Sequence, residues 1–255
     1  MKVRFEDGDF MVRLLRDNFN TQPSSDVTIA LKNGEKLFCH KGVLSMGSSV
    51  LRKMFQSGMR ETTVAEFPID GAPHAVECML RFLYTGHCNL DDENIAAVTA
   101  VADYFDVQPL HEFCLRYIDE YLKVTYKNCL ELLKSGFEHK VDKVFAIAAK
   151  HVIEIEGLCF GLYGFSYPLL EALLQQAKGH HCSHMNLFRL IYCWMAWCCT
   201  DDEVEKGVTL LMKLDLGTLS FSELAEVCSK EVVQSTAALQ LAVVEAMSLK
   251  HLRLT

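Results

Sequence analysis

The sequence predicts an α+β fold, with a small sheet flanked by helices in the first part of the chain and an all-helical region after it. Residues Asp26–Leu31 alternate between polar and apolar side chains, which is the period of a half-buried strand. Asn33-Gly34 is a two-residue hairpin signal that leads into a second strand at Glu35–His40. From about Val124 onward, apolar residues recur at helical spacing.

The stretch from Phe38 to Phe55 predicts the end of a strand followed by two short helices. Its apolar residues recur every three or four positions, and Gly47 interrupts the pattern. Ser48 or Ser49 is placed to cap the second helix. The sequence therefore predicts a strand that runs into a helical hairpin.

Further helices are predicted on both sides of this hairpin. Pro73 opens one that Gly86 ends, Asp91 or Asp92 caps the next, and Pro109 opens another. The residues that we expect on the buried faces of these three helices are Val76, Met79, Leu80, Leu83, Ile95, Val98, Ala102, Phe105, Phe113, Cys114, Tyr117, Ile118 and Tyr121.

Composition limits the classes of function. The chain has 255 residues, of which 50% are hydrophobic, enough to bury a core in each of two domains. A net charge of -8 argues against nucleic-acid binding through phosphate neutralisation.

Eleven cysteines without a framework spacing indicate a reducing compartment, so we expect a cytoplasmic or nuclear protein. The first residues hold no secretory signal, and the longest uncharged span, Gly157 to Leu170, is too short for a bilayer, so no membrane partner is expected.

Five short motifs resemble those of the BTB (POZ) domain in their residues and in their order along the chain: DVTI, FCHKGVL, FPID, FLYTG and ADYFDV. The resemblance runs from about Phe10 to Leu122. It implies a homodimer in which the first predicted helix lies at the interface, with Phe10, Leu14 and Leu15 facing the partner. The alternative is that this amphipathic helix covers only its own core.

Asp26 and Lys41 match the charged pair that many BTB domains keep in the groove between protomers. A buried acid needs a partner, so the two side chains are expected to satisfy each other. The alternative is two solvated charges near the ends of the hairpin.

The residues after the BTB-like region resemble the BACK domain, a helical module that commonly follows a BTB domain. The segment YKNCLELLKSGFEHKVDKVFAIAAKHVIE resembles its opening helix pair, with a turn at Gly136–His139, and LLMKLDLGTLSFSELAEV resembles later helices. After Lys230 one final helix is predicted. The resulting domains are residues 1–122 (BTB/POZ with the dimerisation helix), 123–232 (BACK-like) and 233–255 (C-terminal helix).

Met59-Arg60-Glu61 matches the apolar residue, any residue, glutamate pattern of BTB adaptors that bind Cullin-3. A Met side chain fits an irregular apolar pocket, and the neighbouring carboxylate accepts orienting hydrogen bonds. Phe137 is a second expected contact on the BACK-like helix pair. The alternatives are a solvated turn for Glu61 and a buried turn aromatic for Phe137.

A histidine-rich segment is the rival candidate site. His180, His181, Cys182 and His184 carry zinc-type ligands, but adjacent ligands do not easily reach one tetrahedral centre, so a polar loop is the alternative that we favour. The sequence carries no phosphate loop, nucleophile elbow or usable acid pair, so neither a cofactor nor catalysis is expected.

The sequence thus predicts a homodimeric, non-catalytic adaptor that binds the Cullin-3 N-terminal region and recruits an unknown protein substrate to a ubiquitin ligase. The substrate would dock on the BACK-like surface and last helix, or on a longer partner chain. Two alternatives stay open: a scaffold or transcriptional corepressor platform unconnected to ubiquitin, and a competitor of cullin adaptors.

Overall fold

A three-stranded sheet organises the first part of the chain in the computed structural model. Strands β1 (Val27–Ala30) and β2 (Lys36–Cys39) are antiparallel, with Ile29 opposite Leu37. Strand β3 (Glu66–Pro68) pairs in parallel with β1, which gives the order β2-β1-β3. The structure describes residues 9–56, 66–154, 165–177, 183–196 and 200–254, and all helices and strands named below lie within these ranges.

The turn between β1 and β2 has three residues instead of the predicted two. The backbone N–H of Leu31 donates to the carbonyl of Glu35 (2.9 Å), and that of Gly34 donates to Leu31 (3.0 Å). Gly34 has φ +86°, whereas Asn33 has no positive φ. A two-residue type I′ turn would need φ > 0 at both central positions, so the prediction of that turn was wrong.

The helical hairpin forms as predicted, from α2 (Lys41–Gly47) and α3 (Ser49–Gln56). Ser48 lies between them and is buried. Its Oγ accepts a hydrogen bond from the backbone N–H of Leu51 (3.0 Å) and donates to the carbonyl of Phe105. Ser48 is therefore the predicted cap, and it also fixes this hairpin to a helix far along the chain.

Helix α1 (Phe10–Asp17) comes before the sheet, and α4 (Pro73–Thr85), α5 (Ile95–Tyr104) and α6 (Gln108–Glu120) follow it. Pro73 opens α4, and Gly86 ends it with φ +68°. The Asp91 carboxylate accepts the backbone N–H groups of Glu93 and Asn94 just before α5.

The predicted buried faces of these helices hold with two exceptions. The stripes of α4 and α5 are buried apart from Leu83, which is half-buried. On α6, Cys114 and Ile118 are buried and Tyr117 is half-buried. Phe113 and Tyr121, however, are 41% and 61% exposed, so their assignment to the core was wrong. Periodicity marks the apolar side of a helix but does not say how wide a stripe the rest of the unit covers.

Helices α7 (Cys129–Glu138) and α8 (Asp142–Glu154) form the next pair. The reversal lies later than the predicted Gly136–His139, because α7 continues to Glu138 and the chain turns at Lys140 with φ +57°. Gly136 lets the two helices approach closely, since a Cβ there would lie 2.7 Å from the backbone nitrogen of Phe145.

The chain divides into two compact units. The first unit comprises Met1–Lys123 with Ser135–Phe145, and the second comprises Val124–Lys134 with Ala146–Thr255. The domain boundaries drawn from the sequence after residues 122 and 232 stay predictions.

Within its described residues, the second unit has helices and no strand. Its further helices are α9 (Tyr167–Ala177), α10 (His184–Met195), α11 (Asp201–Leu211), α12 (Phe221–Cys228), α13 (Glu231–Ser235) and α14 (Ala237–Leu254). The single final helix expected after Lys230 is instead two, because Thr236 is extended (φ −113°, ψ 104°).

Specific polar contacts fix the helices of the second unit. The indole N–H of Trp194 donates to the carbonyl of Phe165 (2.8 Å), which satisfies the polar group of a buried side chain. The Arg189 guanidinium on α10 forms a bidentate ion pair with the Glu226 carboxylate on α12, from Nε to Oε1 (3.1 Å) and from Nη2 to Oε2 (2.8 Å). No helix among the described residues has the length and apolarity that a membrane span requires.

We expect Gly136→Ala to lower the free energy of unfolding by about 2 kcal/mol, because the added methyl group would overlap the α8 backbone. Gly42→Ala is the matched control: a Cβ at this helical position meets nothing within 4 Å, and alanine favours helix. Urea unfolding followed by circular dichroism checks both variants. Equal unfolding free energies for the two would contradict the close approach at Gly136.

Candidate protein-interaction surfaces

Helix α1 presents large apolar side chains outward. Phe10, Met11 and Leu14 are 54%, 58% and 44% exposed, Leu15 is half-buried, and no residue of α1 is fully buried. We call Phe10, Met11 and Leu14 the α1 face. An amphipathic helix that leaves its apolar side uncovered is typical of a surface that binds another polypeptide.

The segment after α1 is held firmly even though the α1 face is exposed. The Phe19 ring lies 5.1 Å from that of Tyr84, and the Arg81 guanidinium is 5.0 Å from the centre of the Phe19 ring. The N–H of Asn20 donates to the carbonyl of Phe38, whose own N–H donates to Asn20 Oδ1, both at 3.0 Å. The α1 face is thus presented by a fixed support, since α1 also packs against α4.

Tyr84 connects this support to the sheet. Its hydroxyl accepts the backbone N–H of His40 (2.7 Å) and lies 2.9 Å from the imidazole Nδ1 of the same residue. Burial raises the pKa of the Tyr84 phenol above its ordinary range and raises the pKa of the adjacent Cys39 thiol to about 12. Both groups therefore stay neutral at physiological pH.

The structure brings Asp26 and Lys41 together through the main chain. Asp26 Oδ1 accepts the backbone N–H of Lys41 (2.7 Å), at the first residue of α2. The Lys41 ammonium lies 5.8 Å from the centre of the Phe55 ring. The exposed Asp26 carboxylate consequently satisfies an otherwise unpaired donor at a helix N-terminus.

Met59 and Glu61, the expected cullin contacts, lie outside the described residues. On either side, α3 ends at Gln56 and β3 begins at Glu66. The Phe55 and Phe67 rings meet edge to face with centroids 5.8 Å apart, so the two flanks of this segment are in contact.

Phe137 lies in the last turn of α7 and not in the following turn. Its side chain is half-buried, and its ring centroid is 6.0 Å from that of Phe145. Part of the ring is accessible to a partner, while the rest packs within the first unit.

Two of the exposed apolar side chains that the sequence analysis did not predict lie close to Ser48 and Phe105 in the sequence. Met46 is 73% exposed and Tyr104 is 65% exposed. Each lies within two residues of the hydrogen bond that joins Ser48 to Phe105. The sequence could have indicated this exposure, because each is a large apolar residue that lies off the buried stripe of its helix. Tyr104, for example, is nine positions from Ile95 and therefore lies on the opposite face of the helix.

The histidine-rich segment is described only in part. His180, His181 and Cys182 lie outside the described residues, and His184 Nδ1 accepts the backbone N–H of Asp215 (3.0 Å). Over the described ranges, no group of three or more His, Cys, Asp or Glu side chains is arranged to hold a metal ion.

The family comparison identifies the first part of the chain. Residues 15–122 match the family model of the BTB/POZ domain, and this region is a BTB/POZ domain. The resemblance found in the five motifs is thereby confirmed, as is the fold class of a small sheet flanked by helices followed by a mostly helical region.

Curated relatives are similar over this same part. Kelch-like protein 24 of Homo sapiens is 30% identical over 122 residues, which is 48% of this chain and 20% of that protein. Kelch-like protein 41b of Danio rerio is 27% identical over 150 residues, covering 56% and 24% of the two chains. The chain thus spans about a fifth to a quarter of the length of these relatives. Among solved structures, the BTB domain of human gigaxonin is 20% identical, with a TM-score of 0.39 over 46% of this chain and 98% of that one.

The contact at Asp26 predicts that Asp26→Ala and Asp26→Asn differ. The alanine variant loses the acceptor at the α2 N-terminus and should be less stable by about 1 kcal/mol, whereas asparagine keeps an acceptor and should lose only a few tenths. Chemical denaturation of both variants measures the difference. If both substitutions cost the same, the negative charge and not the cap would be what Asp26 contributes.

Proposed function

We propose that this protein is a homodimeric, non-catalytic adaptor that recruits a substrate to a Cullin-3 RING ubiquitin ligase. The observation that carries the proposal is the BTB/POZ domain at residues 15–122, together with helix α1, which overlaps the start of that match and leaves an apolar face uncovered just before it. Similarity to Kelch-like proteins over this domain supports the same class of function.

The dimer is proposed to form through the α1 face. Three large apolar side chains on an eight-residue helix are costly to leave in water, at about 25 cal/mol for each Å² of apolar surface. A second copy of the same helix would cover them and provide a self-complementary, twofold interface. The half-buried Leu15 would pack at its edge.

Leu14→Glu is expected to convert the dimer into a monomer, because it places a charge in the centre of the α1 face. Arg16→Glu is the matched control, since Arg16 is exposed two residues farther along, on the other side of the helix. Sedimentation velocity gives the mass, and circular dichroism shows whether each variant stays folded. A folded Leu14→Glu variant that sediments as wild type does would remove the α1 face from the interface.

Cullin binding is proposed at Met59 and Glu61, with Phe137 as a second contact. The segment that holds Met59 and Glu61 starts from α3, whose first turn is tied to the core by Ser48. The exposed side chain of Met46 lies on the preceding helix, and that of Tyr104 beside Phe105, the acceptor of the Ser48 hydroxyl. These two exposed apolar side chains are further candidates for contact with a helical partner.

The double variant Met59→Ala with Glu61→Ala should weaken binding to the Cullin-3 N-terminal segment by at least about 2 kcal/mol, or roughly 30-fold, if these are hot spots. Arg60→Ala, between the two, serves as the control and should bind within about twofold of wild type, because hot spots are surrounded by near-neutral positions. Titration calorimetry measures the affinities, and the mass of the dimer should stay unchanged.

Unchanged cullin binding by the double variant would remove the site assignment but leave the adaptor proposal. Failure of the wild-type chain to bind the Cullin-3 segment at all would instead favour the scaffold or corepressor alternative. Binding to cullin without any ubiquitylated target would favour the competitor.

The mechanism that we propose is proximity. A tethered substrate meets the ubiquitin-transfer enzyme at a high effective concentration, and a dimer would provide two substrate-binding sites. We assign the helices of the second part of the chain to a BACK-like module, with the substrate bound on its surface or by a partner chain. The same proposal places the protein in the cytoplasm or nucleus, which the eleven cysteines support.

A further inference from the structure

Cys78 and Cys88 share a surface cavity of the first unit. The cavity has a volume of about 580 Å³, and both thiols line it beside His74 and Arg81. Both cysteines are half-buried, so they are accessible to a small solute and also constrained by their surroundings.

The backbone explains why two thiols that are ten residues apart in the sequence meet. Cys78 lies within α4, and Gly86 ends that helix in the left-handed conformation (φ +68°). The chain then turns back, and His87 Nδ1 contacts the carbonyl of Thr85 (2.6 Å). Cys88 follows at once and forms a thiol–thiol hydrogen bond with Cys78.

The two thiols differ in acidity because of this contact. The hydrogen bond from Cys88 lowers the pKa of Cys78, and the backbone of Asn89 and the charge of Arg81 act in the same direction, against burial and Glu77. The same hydrogen bond, followed by burial, raises the pKa of Cys88 above its ordinary range. Cys78 is therefore the better thiolate, and Cys88 is the proton donor beside it.

Four other described cysteines differ from this pair in burial or acidity. Burial raises the pKa of Cys39 to about 12 and that of Cys114 to about 11, and it also raises the pKa of Cys129. All three are buried, whereas Cys228 in the second unit is half-buried and provides a comparison of similar exposure.

We propose that Cys78 and Cys88 form a peroxide-reactive dithiol, in which Cys78 is the attacking residue and Cys88 resolves the product to a reversible disulfide. Nothing in the adaptor proposal requires this modification, so the two can be tested separately.

The reaction balances with hydrogen peroxide as the oxidant. The Cys78 thiolate attacks one peroxide oxygen, the O–O bond breaks, and with one proton the products are a Cys78 sulfenic acid and water. The Cys88 sulfur then attacks the Cys78 sulfur, and its proton leaves with the departing hydroxide as a second water. The two thiols lose two electrons in total, which reduce one peroxide to two waters. The movement needed to join the sulfurs falls on the irregular segment after Gly86 and not on α4.

The test uses the full reduced chain and a small molar excess of hydrogen peroxide, followed by alkylation, digestion and mass spectrometry. Trypsin combined with a protease that cuts after Asp and Glu places Cys78, Cys88 and Cys114 in three different peptides, because the chain is cut after Arg81 and Asp91. We expect a Cys78–Cys88 linked peptide that disappears on reduction. In the reduced chain, Cys78 should be alkylated faster than Cys228 at neutral pH, because the contact with Cys88 lowers the pKa of Cys78.

Two serine variants assign the roles. Cys88→Ser keeps a hydroxyl donor beside Cys78 but cannot resolve, so a dimedone adduct should accumulate at Cys78. Cys78→Ser should leave Cys88 reduced at the same peroxide dose, and the control Cys228→Ser should still form the linked peptide. The proposal is overturned if Cys228 oxidises as readily as Cys78, or if the Cys88→Ser chain gives no adduct at Cys78.

Discussion

The architecture of the BTB/POZ domain depends on one buried phenol. The Tyr84 ring packs against Phe19, and its hydroxyl receives the backbone N–H of His40. Through these contacts a single side chain of α4 reaches both the segment after α1 and the junction between β2 and α2. A buried hydroxyl without partners would cost about 1–3 kcal/mol, so the position of His40 is strongly specified once Tyr84 is inside. The α1 face can remain exposed because the support beneath it is fixed in this way.

Local rules account for the parts of the fold that could be predicted. Ser48 as a cap and Gly86 as a helix end follow from the chemistry of their own residues. Features decided by distant neighbours could not be predicted. The exposure of Phe113 and Tyr121 depends on what the rest of the unit leaves uncovered, and the reversal at Lys140 places a residue other than glycine at positive φ.

The same distinction applies to the candidate surfaces. Phe10 and Leu14 were predicted as interface residues from a resemblance, and the structure places both on an exposed helix face. Asp26 and Lys41 were expected to satisfy each other as charges; in the structure Asp26 Oδ1 accepts the backbone N–H of Lys41, a geometry that residue types do not reveal. The thiol pair at Cys78 and Cys88 escaped sequence reasoning because a spacing of ten residues matches no metal or redox motif.

The assignment of Ser135–Phe145 to the first unit bears on any attempt to shorten the protein. The Lys143 ammonium lies 2.6 Å from the Asp119 carboxylate, so the later segment is linked to the end of α6. A fragment trimmed to the family match at residues 15–122 would lose this eleven-residue piece and its ion pair with Asp119. Excision after residue 145 would keep the piece but sever α8 inside its first turns. The first unit is therefore not a contiguous stretch of sequence. A fragment that keeps this unit whole without cutting a helix would have to include both α7 and α8.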